Sequence, residues 1–357
     1  MRTIVTVVGA RPQFVKAAPV SRVLRQTFRE VLVHTGQHYD HNMAGVFFEE
    51  LNIPKPDYNL DVGSGSHGRQ TGEMLIRLEE AMQREKPDAI LVYGDTNSTL
   101  AGALAGSKLH IPVFHVEAGL RSFNKAMPEE INRVMTDHVS SLLFAPTATA
   151  VRNLELENIR QGVHLVGDVM YDAVLYNMRL AQQQVPLSRF GLEDTEYFLA
   201  TIHRAENTDR PERLKAIAEQ FMRLERLVVL PLHPRTEKQL KQLQLWDDLA
   251  ACPYIRILPP VSYLEMLLLE SRAAAIITDS GGVQKEAYFA QVPCVTMRDE
   301  TEWTETVETG WNVLMNPERD DLRDKLRSSG NRNYVPDLYG DGQASEKIVQ
   351  HIMEYFS

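Results

Sequence analysis

The sequence predicts an α/β protein made of two doubly wound, Rossmann-like domains facing a cleft. Three observations predict it. Short apolar runs rich in β-branched residues alternate with longer amphipathic stretches along nearly all 357 residues, the pattern of parallel sheets covered on both faces. The alternation pauses once, at the polar stretch "QQQVPLSRFGLEDTE" (182–196), and then resumes. Residues able to carry chemistry gather just past the predicted strand ends, where such sheets bind ligands.

In order, the first series of strands is "TIVTVV" (3–8), "EVLVHT" (30–35), "AILVYG" (89–94), "PVFHVE" (112–117), "SLLFAP" (141–146) and "VHLVG" (163–167). Helical patterns such as "FVKAAPVSRVLRQ" and "RQTGEMLIRLEEAMQRE" lie between them. The second series is "YFLATIH" (197–203), "LVVLPLH" (227–233), "IRILPP" (255–260), "AAIITD" (274–279), "PCVTM" (293–297) and "WNVLM" (311–315), and "ASEKIVQHIMEYF" closes the chain as an amphipathic helix. No solenoid repeat or low-complexity tract interrupts this order.

Composition narrows the partners. A hydrophobic content of 43% with 24% charged residues supplies material for buried cores. A net charge of −10 argues against nucleic acid or an anionic membrane as main partner, though local cations and helix N-termini can still hold a small anion. Two cysteines, Cys252 and Cys294, suit a reducing, cytoplasmic setting. The N-terminal apolar run reads as a buried strand rather than a signal peptide, and no run is long enough for membrane insertion.

At the strand ends, "GARPQFVK" offers Gly9 for a tight turn and Arg11 as a fork of donors, with a helix starting near Pro12. Asp95 in "YGDTNST" suits a helix N-cap as well as a chemical role. Glu117 in "HVEAGLRS" is harder to assign to packing. "MPEEINRVMTDH" opens a helix at Pro128 with Glu129 and Glu130 in its first turn, where acidic residues complement the dipole. Asp95, Glu117 and Glu129 together would put three carboxylates at one rim, an arrangement for moving protons. In the second half, His203 and His233 each end a strand with an arginine within two residues. In "TDSGGVQKEA", Asp279 ends a strand, Gly281 and Gly282 admit a close ligand, and a helix is expected from Val283 with Glu286 one turn in. A Walker lysine motif and a GxGxxG fingerprint are both missing. His34, His38 and His41 have spacing conceivable for zinc, without a supporting cysteine pair, so no metal is expected.

Taken together, "GARPQFVKAAPV", "TGQHYD", "YGDTNST", "HVEAGLRS", "MPEEINRVMTD", "LFAPT", "VGDVMYDA", "HRAEN", "TDSGGVQKEA" and "MRDETEW" resemble, in order, the non-hydrolysing UDP-N-acetylglucosamine 2-epimerases. The resemblance implies a fold of the glycosyltransferase B type with a UDP-sugar in the cleft, no cofactor, and commonly a homodimer. It divides the chain into 1–168 on the sugar side, 169–340 for UDP, and a C-terminal helix, 341–357, packing back on the first domain. It implies that UDP leaves C1 as a base removes the C2 proton, giving a 2-acetamidoglucal, and that UDP adds back as a proton reaches the other face. It assigns Asp95, Glu117, Glu129 and His203 to the catalytic set, and Arg11, Lys16, Arg133, His233, Ser280, Gly281, Gly282 and Glu286 to substrate binding. Two departures stand out: the segment between Arg121 and Pro128 is about two residues shorter than in the commonest bacterial form, and Asp40 replaces a frequent glutamine near Gln37 and Arg69, where many members bind a second UDP-sugar as activator.

The segments "GSHGRQTG", "RSFNKAMPEEINR" and "ETEWTETVETGWN" look more like the branch acting on UDP-2,3-diacetamido-2,3-dideoxyglucuronate. That uronate would need a cation from Arg121, Lys125 or Arg204. A retaining glycosyltransferase, which would require an acceptor, and a non-catalytic sensor are the readings from other classes.

Overall fold

The computed structural model describes residues 1–36, 54–301, 303–329 and 334–357. Its first sheet holds β1 (Thr3–Val8), β2 (Arg29–His34), β3 (Tyr58–Asn59), β4 (Ala89–Tyr93), β5 (Val113–Val116), β6 (Leu142–Ala145) and β7 (Val163–Leu165). The order is β3-β2-β1-β4-β5-β6-β7, and every pairing is parallel. The second sheet holds β8 (Phe198–Thr201), β9 (Val228–Pro231), β10 (Ile255–Leu258), β11 (Ala275–Thr278), β12 (Cys294–Thr296) and β13 (Asn312–Leu314). Its order is β10-β9-β8-β11-β12-β13, again all parallel. The predicted α/β class with two doubly wound sheets is what the chain builds. The two-residue β3 escaped the sequence reading, because two residues carry no periodicity.

The chain divides into two compact units, residues 1–173 with 336–357, and residues 174–335. In the first, Val5, Val7, Val33, Ile90 and Val92 of the central strands meet Met74, Leu78 and Met82 of the helix His67–Glu85. In the second, Ala200, Leu230, Ile277 and Val295 meet Leu214, Ile217 and Phe221 of the helix Pro211–Met222. Each such aliphatic or aromatic side chain contributes about 1.5–3 kcal/mol when fully buried. These cores hold the strand ends in register, and therefore the turns that follow them.

The C-terminal helix Ala344–Tyr355 belongs to the first unit. The amides of Ala344 and Ser345 donate to the Asp172 carboxylate at 3.1 and 2.7 Å. At the far end, Tyr355 and Phe356 pack against Phe114, with Phe356 also facing Phe28. The second aspartate in "VGDVMYDA", Asp172, thus serves to cap this helix.

Two local expectations change. Gln182–Gln184 finish the helix Val169–Gln184 instead of opening a linker, and Leu187–Phe190 forms a 3₁₀ turn. The helix expected from Val283 spans Gly281–Phe289, because Ser280 caps it by accepting from the Val283 amide at 3.4 Å. Among the described residues no helix is long and apolar enough to cross a membrane.

Candidate active site

Strand order reverses between β1 and β4 in one sheet and between β8 and β11 in the other, the switch points where doubly wound sheets bind ligands. In the first unit the turn after β1 leads into the helix Arg11–Leu24. Gln13 organises it: its Oε1 accepts from Gly9 and Ala10 amides at 2.8 and 3.1 Å, while its Nε2 donates to the Tyr93 carbonyl and Thr99 Oγ1. One turn on, Lys16 reaches Glu117, just past β5, and the two form an ion pair. Arg11 opens the same helix, and its side chain lies outside what the structure describes.

Glu117 is buried and takes a left-handed backbone, φ 73°, which costs a non-glycine residue and marks a site held by its surroundings. Burial pulls the Lys16 ammonium down, but the carboxylates of Glu117 and Asp95, with Asp168 beyond them, outweigh it and leave its pKa raised. Asp95 follows β4 and pairs with Arg133. The Asp95 carbonyl takes a hydrogen bond from Asn132 at 2.9 Å. Lys16, Asp95, Glu117 and Arg133 therefore form one alternating charge cluster. The buried Arg133 Nε finds no acceptor among the described residues.

The two glutamates of "PEEINR" separate cleanly. Glu130 is buried and clamps the preceding loop, accepting from Ser122 N and Oγ at 2.8 and 2.9 Å and from Phe123 N at 2.9 Å. Burial pushes its carboxyl up, and those donors with Arg133 more than reverse the shift. Glu129 stands exposed in the first turn of the helix Pro128–Val139 and makes no hydrogen bond or ion pair among the described residues. Asp95 is not an N-cap: Thr96 caps the helix Asn97–Lys108.

In the second unit, Asp279 is fully buried and gathers the loop after β8. It accepts from His203 N at 3.0 Å, Arg204 N at 3.0 Å and Asn207 Nδ2 at 3.0 Å. The His203 ring lies 3.3 Å from the same carboxylate and stays 40% exposed. Burial lowers its pKa against the pull of Asp279, and His233 and Arg204 lower it further. The His233 ring, 5.9 Å away centroid to centroid, caps the helix Pro234–Gln242 through Nδ1, which accepts from Arg235 N. Nδ1 is thus the bare nitrogen of the His233 ring.

Gly281 and Gly282 form the first turn of their helix, where backbone N–H groups have no intrahelical partner. Among the described residues a Cβ on Gly282 would meet only Ser280 Oγ, at 3.8 Å, so none of them demands glycine there. Glu286 is buried beside Glu270 of the helix Tyr263–Arg272. No N–H or O–H of any other described residue reaches the Glu270 oxygens. Burial first, then the Glu286 carboxylate, drive the Glu270 carboxyl well above the usual range.

The family model described as UDP-N-acetylglucosamine 2-epimerase covers residues 22–353. The chain belongs to the UDP-N-acetylglucosamine 2-epimerase family. It is 50% identical over 359 residues to the UDP-2,3-diacetamido-2,3-dideoxy-D-glucuronate 2-epimerase of Pseudomonas aeruginosa, covering 98% of this chain and 99% of that one. It is 48% identical over 355 residues to the UDP-N-acetylglucosamine 2-epimerase of Methanocaldococcus jannaschii, covering 96% and 97%. A crystal structure of the UDP-GlcNAc 2-epimerase of M. jannaschii in complex with UDP-GlcNAc and UDP superposes with a TM-score of 0.82 at 46% identity, over 99% of this chain and all of that one. The fold is of the glycosyltransferase B type, shared with these epimerases.

Within this epimerase-family chain, several supporting residues escaped the sequence reading. Gln13 gave no signal beyond a polar residue in a helix. Asp279 was seen only as the end of a strand. Arg121, a candidate cation for a uronate, is instead buried at 1% exposure and bound to Asp137 and Glu157 at 2.7 Å each. His38, His41, Gln37 and Asp40 lie outside the described residues. Among the described residues no group of three His, Cys, Asp or Glu could hold a metal ion.

Proposed function

We propose that the protein is a non-hydrolysing UDP-N-acetylglucosamine 2-epimerase, interconverting UDP-N-acetylglucosamine and UDP-N-acetylmannosamine. The observation that carries this reading is the charge cluster of Lys16, Glu117, Asp95 and Arg133 at neighbouring strand ends in a chain of this family. An unactivated C2–H bond resists simple proton exchange. Elimination avoids that difficulty: a carboxylate takes the C2 proton, the C1–O bond breaks, and UDP departs with the bonding electrons. UDP then re-adds to C1 of the 2-acetamidoglucal while a second carboxyl delivers a proton to the opposite face of C2. Glu117, with Lys16 balancing its charge, and Asp95, with Arg133, supply two acid/base groups. Glu129, exposed in the adjoining first turn, is the third. His203, neutral by burial, completes the catalytic set.

UDP is assigned to the second unit. Ser280, Gly281 and Gly282 offer a helix N-terminus to the diphosphate, and the open space at Gly282 is the room a phosphate would fill. Glu286 is assigned to the ribose hydroxyls and His233 to the nucleotide. Arg11, Lys16 and Arg133 are assigned to the sugar and diphosphate, the unpartnered Nε of Arg133 being a donor that a substrate oxygen would satisfy. The reading needs no metal or cofactor.

A second reading keeps the chemistry and changes the sugar to the diacetamido uronate, favoured by the 50% identity to the P. aeruginosa enzyme. With Arg121 committed to Asp137 and Glu157, the uronate cation would be Lys125 or Arg204. Proton-coupled conversion of each UDP-sugar alone, without acceptor, separates the two readings. Conversion of the uronate without conversion of UDP-N-acetylglucosamine would replace the first reading by the second.

We further propose a cytoplasmic homodimer. A content of two cysteines, Cys252 and Cys294, suits a reducing compartment, and the exposed stripe Met127, Ile131 and Met135, spaced by four residues, suits a second copy.

A further inference from the structure

His115, on β5, is fully buried, yet both ring nitrogens face oxygen acceptors. Nδ1 lies 2.6 Å from Asp137 Oδ1, and Nε2 lies 2.8 Å from the Gly94 carbonyl oxygen. A carbonyl can only accept, so Nε2 carries a proton. Asp137 receives two further donors on its other oxygen, the Gly119 amide at 3.1 Å and Arg121 Nη1 at 2.7 Å. Burial would push the Asp137 carboxyl up, but His115 and Arg121 outweigh it and hold it below the ordinary range. Asp137 is therefore a carboxylate, and Nδ1 must donate as well. We propose that His115 donates from both ring nitrogens, and that it positions the turns carrying Asp95 and Glu117.

The charges around it balance. Arg121 bonds Asp137 with Nη1 and Glu157 with Nε and Nη2, at 2.7 and 2.8 Å. The buried cations are His115 and Arg121, and the anions are Asp137 and the partly exposed Glu157. His138 lies 3.3 Å from Glu157, at the rim of the network. Glu117 and Lys16 also lie close to Gly94: a Cβ on Gly94 would stand 3.2 Å from Glu117 Oε2 and 3.7 Å from Lys16 Nζ. Removing the His115 proton would turn a nitrogen lone pair toward an oxygen at hydrogen-bond distance.

The positioning follows from the same contacts. The Gly94 carbonyl is half of the peptide joining Gly94 to Asp95, so the ring fixes the plane from which Asp95 projects. The Gly94 amide donates to Val116 O at 3.0 Å, tying this turn to the residue before Glu117. Asp137 meanwhile holds the Gly119 amide two residues past Glu117. One buried pair thus braces both turns, and Gly94 and Glu117 keep positive φ of 63° and 73° within that brace.

The protonation stands on its own, while the positioning role rests on reading Asp95 and Glu117 as acid/base groups. The test uses the full chain labelled with ¹⁵N-histidine, with the His115→Gln variant identifying one resonance among 11 histidines. The expected spectrum shows both His115 nitrogens protonated at neutral pH. A bare nitrogen on His115 at neutral pH would overturn the proposal. In His115→Gln the amide can still reach one acceptor but carries no charge. The expected result is a kcat lower by about a hundredfold, with KM and UDP binding little changed. A folded His115→Gln protein with wild-type kcat would overturn the positioning role. Wild-type inactivity on both sugars would remove the proposed function instead, and the ring spectrum would still decide the state of His115.

Discussion

Glu117 combines burial, a left-handed backbone and a lysine partner. Replacing it by glutamine keeps its shape and removes its basicity. We expect Glu117→Gln to lower kcat by roughly 10²–10⁴-fold while UDP binding by calorimetry stays close to wild type. Loss of UDP binding with turnover would instead mark Glu117 as a folding residue. In the second unit, Glu270 makes a prediction about pH. Burial and the Glu286 carboxylate drive its carboxyl well above the usual range, with the Tyr197 hydroxyl also near it. The folded state therefore binds the carboxyl proton more tightly than the unfolded chain does, and stability falls as pH rises above the ordinary glutamate range. Denaturant melts of Glu270→Gln should show a smaller alkaline loss than wild type, and an unchanged pH slope would contradict the raised carboxyl. The strand-end position of Glu117 was visible in "HVEAGLRS". Neither Glu270 nor His115 was, because a charged or polar residue within a helix or strand pattern announces nothing until its neighbours in space are known.

The turns between elements show what glycine is for. At Gly9 a Cβ would lie 2.1 Å from both Ser98 Oγ and Thr35 Oγ1, which are buried and bonded to each other. Gly9→Ala should therefore cost about 1–3 kcal/mol of stability. At Gly282 the space is open, so Gly282→Ala should leave stability unchanged or raise it by about 0.5 kcal/mol, while weakening UDP. Thermal melts and UDP titrations of the two variants read these effects separately. Equal UDP affinity for Gly282→Ala and wild type would remove the diphosphate from this turn. The periodicity located both helix–strand junctions, and the strand cores at β1, β4 and β11 fell where their β-branched runs stood. It could not set the helix start at Gly281, since that depends on the Ser280 hydroxyl turning back to the Val283 amide. Nor could it tell Glu129 from Glu130: the two occupy one helical turn, and only the returning loop at Ser122 and Phe123 selects the second as its clamp.

At the scale of the whole molecule, two sheets with reversed strand order at β1/β4 and β8/β11 each present their chemistry at a switch point. The first gathers cations and carboxylates in alternation. The second offers a helix N-terminus and two histidines with little net charge. Such a division suits a reaction in which one part of the substrate gains and loses protons while another is only held. The exposed Met127, Ile131 and Met135 face adds an assembly prediction. Ile131→Glu should shift the protein from dimer to monomer in sedimentation, and a dimer of unaltered strength would exclude this face. The succession of strands and helices was legible from alternation, whereas the order of strands within each sheet was not, and the spacing of this stripe passed unnoticed among the carboxylates of "MPEEINRVMTDH".

The central claim is that C2 inverts through loss and return of a proton while UDP is released and re-added. Incubating the protein with UDP-N-acetylglucosamine alone in D2O and following C2 by NMR tests it directly. The account predicts UDP-N-acetylmannosamine carrying deuterium at C2, formed without acceptor or added metal. Epimer formed without deuterium at C2, or no conversion of either this sugar or the diacetamido uronate, would contradict it.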